Sequence, residues 1–294
     1  MNIHNIEVLL AVADCGSTTI AGEKLGLTQS RTTQIVKAVE KELGVTMLQK
    51  KQNRGVVLTS EGETLIPALR NLAADYEDFR QEIASIQNLK RGRLKIGTAY
   101  QCPPVWISSF VKAFSGQYPN IRVEIAEGTQ KEMENAVKER RVDLAIMTFF
   151  RGKTLEFIPI LREQIVAVFP RGSVLEKFDK VTDNMLQYMP IILYETSAED
   201  RQYERIFRNS GFTPEILLKT RNDLTALSMV DQGLGISILP ESVCKSFTGN
   251  VVYRPFDPDI NRTLGIATKS SRDTSPATQA FIDTIRESFA QGIS

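Results

Sequence analysis

The sequence predicts an α/β chain in three parts: a winged helix-turn-helix over residues 1–59, a long linker helix over 60–91 and a two-lobed α/β domain over 92–294. Three observations carry this. Apolar stripes of helical period, broken by glycine-bearing turns, fill the first forty-odd residues. A heptad seam follows them, and from Arg93 short β-rich runs alternate with helical stretches.

Ile3, Ile6, Leu9, Leu10 and Ala13 form the first stripe, which ends near Gly16. Ser17 caps a short helix to Leu25 in which Ile20, Ala21 and Leu25 face inward, and Gly26-Leu27-Thr28 is a tight turn with a new cap at Thr28. From Gln29 onward Thr32, Val36, Val39 and Leu43 share one side, and Gly44 stops the helix. Val45 to Leu48 and Val56 to Leu58 read as short strands around a basic loop, KKQNRG.

A formal net charge of +1 conceals a local asymmetry, because Arg31, Lys37, Lys41, Lys50, Lys51 and Arg54 face only Glu40 and Glu42 in that stretch. The exposed side of the third helix carries Gln29, Ser30, Thr33, Gln34 and Lys37, amide, hydroxyl and ammonium groups suited to base edges and phosphates of double-stranded DNA. Ser17, Thr28 and Arg31 at the helix starts, with Lys50, Lys51 and Arg54 on the wing, complete the candidate surface.

Ser60 to Glu63 has the spacing of a capping box and announces a long helix. Leu65, Leu69, Leu72, Tyr76, Phe79, Ile83 and Ile86 alternate spacings of four and three, a seam expected to pair two copies, while Pro67 removes one backbone bond near Glu63. Two copies would engage two half-sites of DNA.

RLKIGT, Val105 to Phe114, IRVEIAE, Lys131 to Arg140 and LAIM read as βαβαβ with a mainly parallel sheet. QIVAVF, IILY, EILLK and ISIL form a second set with helices over 200–209 and 223–231, and TLGIAT with the helix from Pro276 to Phe289 returns to the first lobe. Lobe I thus covers about 92–162 and 264–294, and lobe II about 163–263. Ligand clefts in such sheets lie at the carboxyl ends of strands. These ends place Thr98, Tyr100, Gln101, Cys102, Gly128, Thr129, Thr148 and Phe149 on one wall of an effector cleft, and Glu195, Thr196 and Asn222 on the other, with no obvious arginine among them.

An enzyme lacks its parts. The single histidine, His4, lies in the first helix, and there is no GxxxxGK[ST] loop, no GxSxG elbow and no histidine-carboxylate metal spacing. Glu124, Glu127 and Asp143 are ordinary strand-end acids. No catalytic residue, metal or cofactor is expected. Cys15, Cys102 and Cys244 are widely spaced and encode no disulfide framework or zinc site. Cys102, at a helix start, offers an alternative as a redox or electrophile sensor. No export signal or apolar span is read, so the expectation is a cytoplasmic protein without a membrane, not an exported solute-binding protein.

Gly16-Ser17, Ala21, Leu25, Thr28-Gln29, Val39-Glu40, Leu43-Gly44, Leu58-Thr59 and Gly62 follow, in order and spacing, a pattern that resembles the DNA-binding region of LysR-type transcriptional regulators. Gly22, Arg31, Ile35 and the run Met47-Leu48-Gln49-Lys50 depart from it. GRLKIG, RVDLAIM and VDQGLGISILP resemble stretches of LysR-type effector domains, which are similar in fold to periplasmic binding proteins. The resemblance implies a regulator of transcription, controlled by a small molecule between the lobes and assembled as dimers into tetramers.

Overall fold

Each of the first three helices has a polar cap that begins it and a glycine that ends it. The Asn2 side chain accepts from the Asn5 amide at 2.8 Å and opens α1 (Ile3–Cys15), which stops at Gly16 in the left-handed conformation, φ 59°. Ser17 opens α2 (Thr18–Leu25), Thr28 opens α3 (Gln29–Leu43), and Gly26 and Gly44 close them. In this computed structural model the described residues are 2–51, 55–86, 92–100, 102–149, 155–194, 204–207, 213–269 and 274–290.

Ile6, Leu9, Val12, Ala21, Val36 and Val39 form the small N-terminal core. Three residues expected inward are not. Ile20 and Leu25 are exposed because α2 has only two turns and approaches its neighbours through Ala21 and Gly22. A Cβ on Gly22 would sit 2.8 Å from both Leu27 O and Thr32 Oγ1, so this close approach demands glycine. Leu43, the last residue of α3, is also exposed, and Ile35 takes a buried place instead.

The wing strands are β1 (Leu48–Lys51) and β2 (Gly55–Leu58), antiparallel with Leu48 opposite Leu58. The expected first strand, 45–48, lies too early. Glu40 Oε1 accepts the Met47 and Leu48 amides at 2.7 and 2.9 Å, which anchors this segment to α3 and delays pairing. Lys50 and Lys51 therefore lie on the strand itself; Arg54 lies outside the described residues.

The linker helix α4 (Ser60–Ile86) includes Ser60, the residue expected to cap it. Thr59 is the capping residue instead, with its Oγ1 accepting the Gly62 amide at 3.0 Å, while Ser60 Oγ bonds Glu61 at 2.8 Å. A Cβ on Gly62 would meet Met47 O at 2.1 Å, so the helix start is seated directly on the wing connector.

The remainder is one mixed sheet curled around two cores. Its strands are β3 (Gly92–Ala99), β4 (Ile121–Gly128), β5 (Leu144–Thr148), β6 (Glu156–Pro170), β7 (Ile191–Tyr194), β8 (Ile216–Thr220), β9 (Ile236–Pro240) and β10 (Val251–Thr268), in the order β4-β3-β5-β10-β6-β9-β7-β8. The outer triplets β4-β3-β5 and β8-β7-β9 are parallel, the first of them as read; β10 and β6 between them are antiparallel to each other and to their neighbours. The helices are α5 (Pro104–Gln117), α6 (Gln130–Lys138), α7 (Glu204–Phe207), α8 (Asp223–Asp231), α9 (Glu241–Ser246) and α10 (Pro276–Ala290).

Lobe I packs α5, α6 and α10 on Leu94, Ile96, Leu144 and Ile266; lobe II gathers Ile165 to Phe169, Ile192, Leu227 and Ile238. Between the two cores, Glu163 and Arg262 stand opposite each other on β6 and β10, almost wholly buried, with Arg262 Nε 2.7 Å from Glu163 Oε2. Glu163 Oε1 accepts the Ser242 amide at 3.0 Å, so the carboxylate is satisfied on both oxygens.

The N-terminal unit, α4 and lobe I meet in a charged junction. Arg70 of α4 grips Asp14 of α1, and Arg140 of lobe I bonds Asp75 and Asp78 of α4. Behind them Asp143 accepts the Lys95 amide at 2.7 Å. Burial pushes the Asp78 carboxyl up to about 6, against the opposing pull of Arg140 and with Asp143, Asp75 and Glu77 adding to the rise. Burial likewise raises Asp143 and lowers Lys95.

An unfolded aspartate ionises near pH 4, at about 3.9, so between that pH and about 6 the folded chain holds the extra proton and stability falls as pH rises. Asp78→Asn should therefore shrink the loss of stability between about pH 5 and about pH 7, read from urea midpoints at the two values. An unchanged difference would mean that Asp78 ionises as it does in the unfolded chain.

Candidate functional site

Two separate surfaces carry the candidate residues. On the N-terminal unit Gln29, Ser30, Arg31, Gln34 and Lys37 are exposed along one side of α3, and Thr33 is half-buried. Thr33 Oγ1 donates to Gln29 O at 2.9 Å, and the Gln29 amide reaches Thr33 Oγ1 and Thr18 Oγ1 at 3.4 and 3.5 Å, so Gln29 is held at the helix start. Ser17 and Thr28 are caps: their hydroxyls accept the Ile20 and Arg31 amides at 3.3 and 3.2 Å. Lys50 and Lys51 stay exposed on β1.

The heptad seam divides in two. Leu69 is buried and Leu65 half-buried against the N-terminal core of the same chain, where Ile66 joins them. Beyond them Leu72, Tyr76, Phe79 and Ile83 are exposed, Phe79 at 58%. The seam as read assigned all seven positions to a partner. The first two are occupied because the capped start of α4 lies on the wing, and the Ile86 side chain lies outside the described residues.

The strand ends of the two lobes face each other. Tyr194 Oη, at the end of β7, lies 3.4 Å from Tyr100 O, after the end of β3. On the lobe I wall Thr98 and Thr148 are buried, Gly128 ends β4, and Thr129 caps α6 in a reciprocal box with Glu132. Gln130 donates to Thr148 O at 3.2 Å and accepts the Thr148 hydroxyl, while Phe149 is exposed. On the lobe II wall Asn222 caps α8, its Oδ1 accepting the Thr225 amide at 3.0 Å. Gln101, Glu195 and Thr196 lie outside the described residues.

Two of the expected ligand residues, Thr129 and Asn222, are thus helix caps, which sets the N-termini of α6 and α8 at the strand ends. The sequence reading missed the charges. The Thr129 bonds lower the Glu132 carboxyl, with Arg221 of the other lobe adding a small pull, and Arg262 opposes the burial that raises Cys102 and Asp223. Glu163 and Arg262 lie in the polar stretches Arg162-Glu163-Gln164 and Asn261-Arg262-Thr263, so no local signal marked their burial. A further cavity of about 630 Å³ opens within lobe I between α5 and the ends of β3 and β4, lined by Thr98, Tyr100, Cys102, Ile107, Val111 and Ile125 among others.

Cys102 is buried and its Sγ donates to Ile146 O at 3.2 Å. Burial pushes its thiol up to about 11, outweighing the pull of Arg262, and burial also raises Cys244. Among the described residues no group of histidine, cysteine or carboxylate side chains could hold a metal ion, and no helix is long and apolar enough to cross a membrane.

Comparison with known proteins matches residues 3–63 to a family described as "Bacterial regulatory helix-turn-helix protein, lysR family" and residues 87–290 to "LysR substrate binding domain". The chain is 27% identical to the uncharacterized HTH-type transcriptional regulator YvbU of Bacillus subtilis (strain 168), over 98% of this chain and 99% of that one. It is similar in structure to a full-length OxyR variant from Pseudomonas aeruginosa, with TM-score 0.72, 20% identity and coverage of 97% and 98% of the two chains. The effector binding domain of QuiR in complex with shikimate superposes with TM-score 0.61 and 22% identity on 69% of this chain, covering 100% of that domain.

The state of Cys102 is open to a direct check. In the native protein at neutral pH, iodoacetamide should label the partly exposed Cys15 first and leave Cys102 unmodified until denaturant is added, as read by peptide mass spectrometry. Prompt labelling of Cys102 would instead mark it as a reactive sensor.

Proposed function

The chain belongs to the LysR family of bacterial transcriptional regulators, and we propose that it reads DNA through α3 and the wing as a dimer and changes that grip when a small molecule binds between its lobes. The observation that carries the DNA reading is the exposed row Gln29, Ser30, Arg31, Gln34 and Lys37 on a helix whose start is fixed by the Thr28 cap. Its amides and hydroxyls suit base edges; Lys37, Lys50 and Lys51 suit phosphates. With Ser17, Thr28 and Thr33 acting mainly as caps or helix bonds, the contact set narrows to Gln29, Ser30, Arg31, Gln34 and the lysines.

The exposed apolar half of α4, from Leu72 to Ile83, is the proposed seam between two copies. Two winged helices then address two half-sites on one face of the duplex, and the linkage raises their effective concentration. Regulation follows from differential affinity, since an effector that binds two arrangements equally shifts neither. The facing strand ends, the two helix N-termini and Arg221 suit a compact polar or anionic effector. That a related domain holds shikimate agrees with this reading.

The test is binding of the purified protein to DNA from upstream of its own gene, by anisotropy over a salt series with nonspecific competitor. Binding should resist competitor and weaken steeply with salt, and Lys37→Ala or Lys50→Ala should each reduce the logarithmic salt slope by about 1. Phe79→Glu should yield monomers by sedimentation and lose most of the affinity. Binding equal to competitor, on this DNA and on fragments selected genome-wide, would overturn the reading.

A further inference from the structure

Among the described residues Arg140 is the one non-glycine with a positive φ, 54°. It follows the C-cap of α6, where its amide bonds Val137 O at 3.0 Å and the Arg141 amide bonds Ala136 O at 2.8 Å. Glycine ordinarily fills this position, because a Cβ crowds the left-handed backbone. An arginine there is explained by its side chain. The guanidinium leaves lobe I, bonds Asp75 and reaches Asp78 Oδ2 at 3.2 Å, two carboxylates one turn apart on α4.

The other end of α6 lies at the cleft. Thr129 caps it, and Gln130, its first residue, is doubly bonded to Thr148 at the end of β5. One helix of about 13 Å therefore touches the cleft with its first turn and is followed, just past its C-cap, by the residue that holds α4. From α4 the path continues to the DNA-reading unit through Arg70 and Asp14.

We propose that α6 carries the state of the cleft to the linker helix, with Arg140 as the positioning residue that joins the two. The proposal rests on the reading of the cleft as the effector site. Other links between lobe I and α4 exist: Gln81 to Arg93 O at 2.9 Å and Lys269 to Asn71 at 3.0 Å. Arg93 lies on β3 and Lys269 directly follows β10, strands held by hydrogen bonds inside the sheet; α10 also packs on α4, but none of the candidate cleft residues lies on it. A helix packed on the sheet by side chains can slide or tilt where a paired strand cannot.

The experiment needs no effector. Hydrogen exchange of the full-length protein is followed in the α4 backbone over residues 70–83, for wild type, Gln130→Ala, Arg140→Gly and the pair combined. Glycine suits the left-handed backbone, so unchanged exchange in β3 to β5 verifies that lobe I is intact. Gln130→Ala, a change at the cleft end, should raise α4 exchange about threefold or more in wild type and have no effect once Arg140 is glycine. A variant with both Asp75→Asn and Asp78→Asn should erase the Gln130→Ala effect in the same way. If Gln130→Ala leaves α4 unmoved, or moves it equally with and without Arg140, the proposal falls. The effector reading would still stand on its own, since it is tested by DNA binding and not by exchange.

Discussion

The pairing of β6 with β10 is the constraint on which the effector half depends. These two strands run antiparallel from one lobe into the other and contribute apolar residues to both cores. Each lobe then needs only a parallel triplet and its helices, and the two triplets are held with their carboxyl ends facing. The place where core I gives way to core II is also where Glu163 and Arg262 pair, out of water and opposite in register. A buried pair of this kind contributes little net stability but penalises any slip in register, because a slip would strand a charge. The chain has fixed its pivot with charge and its lobes with hydrocarbon.

Much of this was legible in the sequence because periodicity reports burial directly. The alternation of apolar positions in α1 and α3, the glycine stops and the βαβαβ order of lobe I needed no tertiary information. What escaped was set by neighbours distant in sequence. Leu25 and Leu43 look like core residues locally, yet a two-turn helix and a helix terminus leave them uncovered. The wing register depends on Glu40 capturing the Met47 and Leu48 amides, a contact no strand propensity reveals. Charges inside β6 and β10 read as interruptions until their pairing is known.

The candidate cleft shows the same division. Strand ends were identifiable, so Thr98, Thr129, Thr148 and Asn222 were placed at the right depth in the fold. Hydroxyl and amide side chains at strand ends, however, are also what a following helix needs for its first turn. Thr129 and Asn222 serve that need here, as the N-caps of α6 and α8. Arg221, Gln130 and Arg140 carried no local signal, since each acquires its role from a partner across a domain or lobe boundary.

The seating of Gly62 against Met47 has a mechanical consequence. With no side chain between them, α4 and the wing form a single stiff piece, so the DNA-reading unit cannot pivot freely at the base of its helix. From Asp75 to Ser60 the helix is a lever arm of about 22 Å. Tilting that arm by about 9° displaces its far end by about 3.4 Å, the rise of a single base pair. Register on the duplex is thereby geared to small rotations far from it.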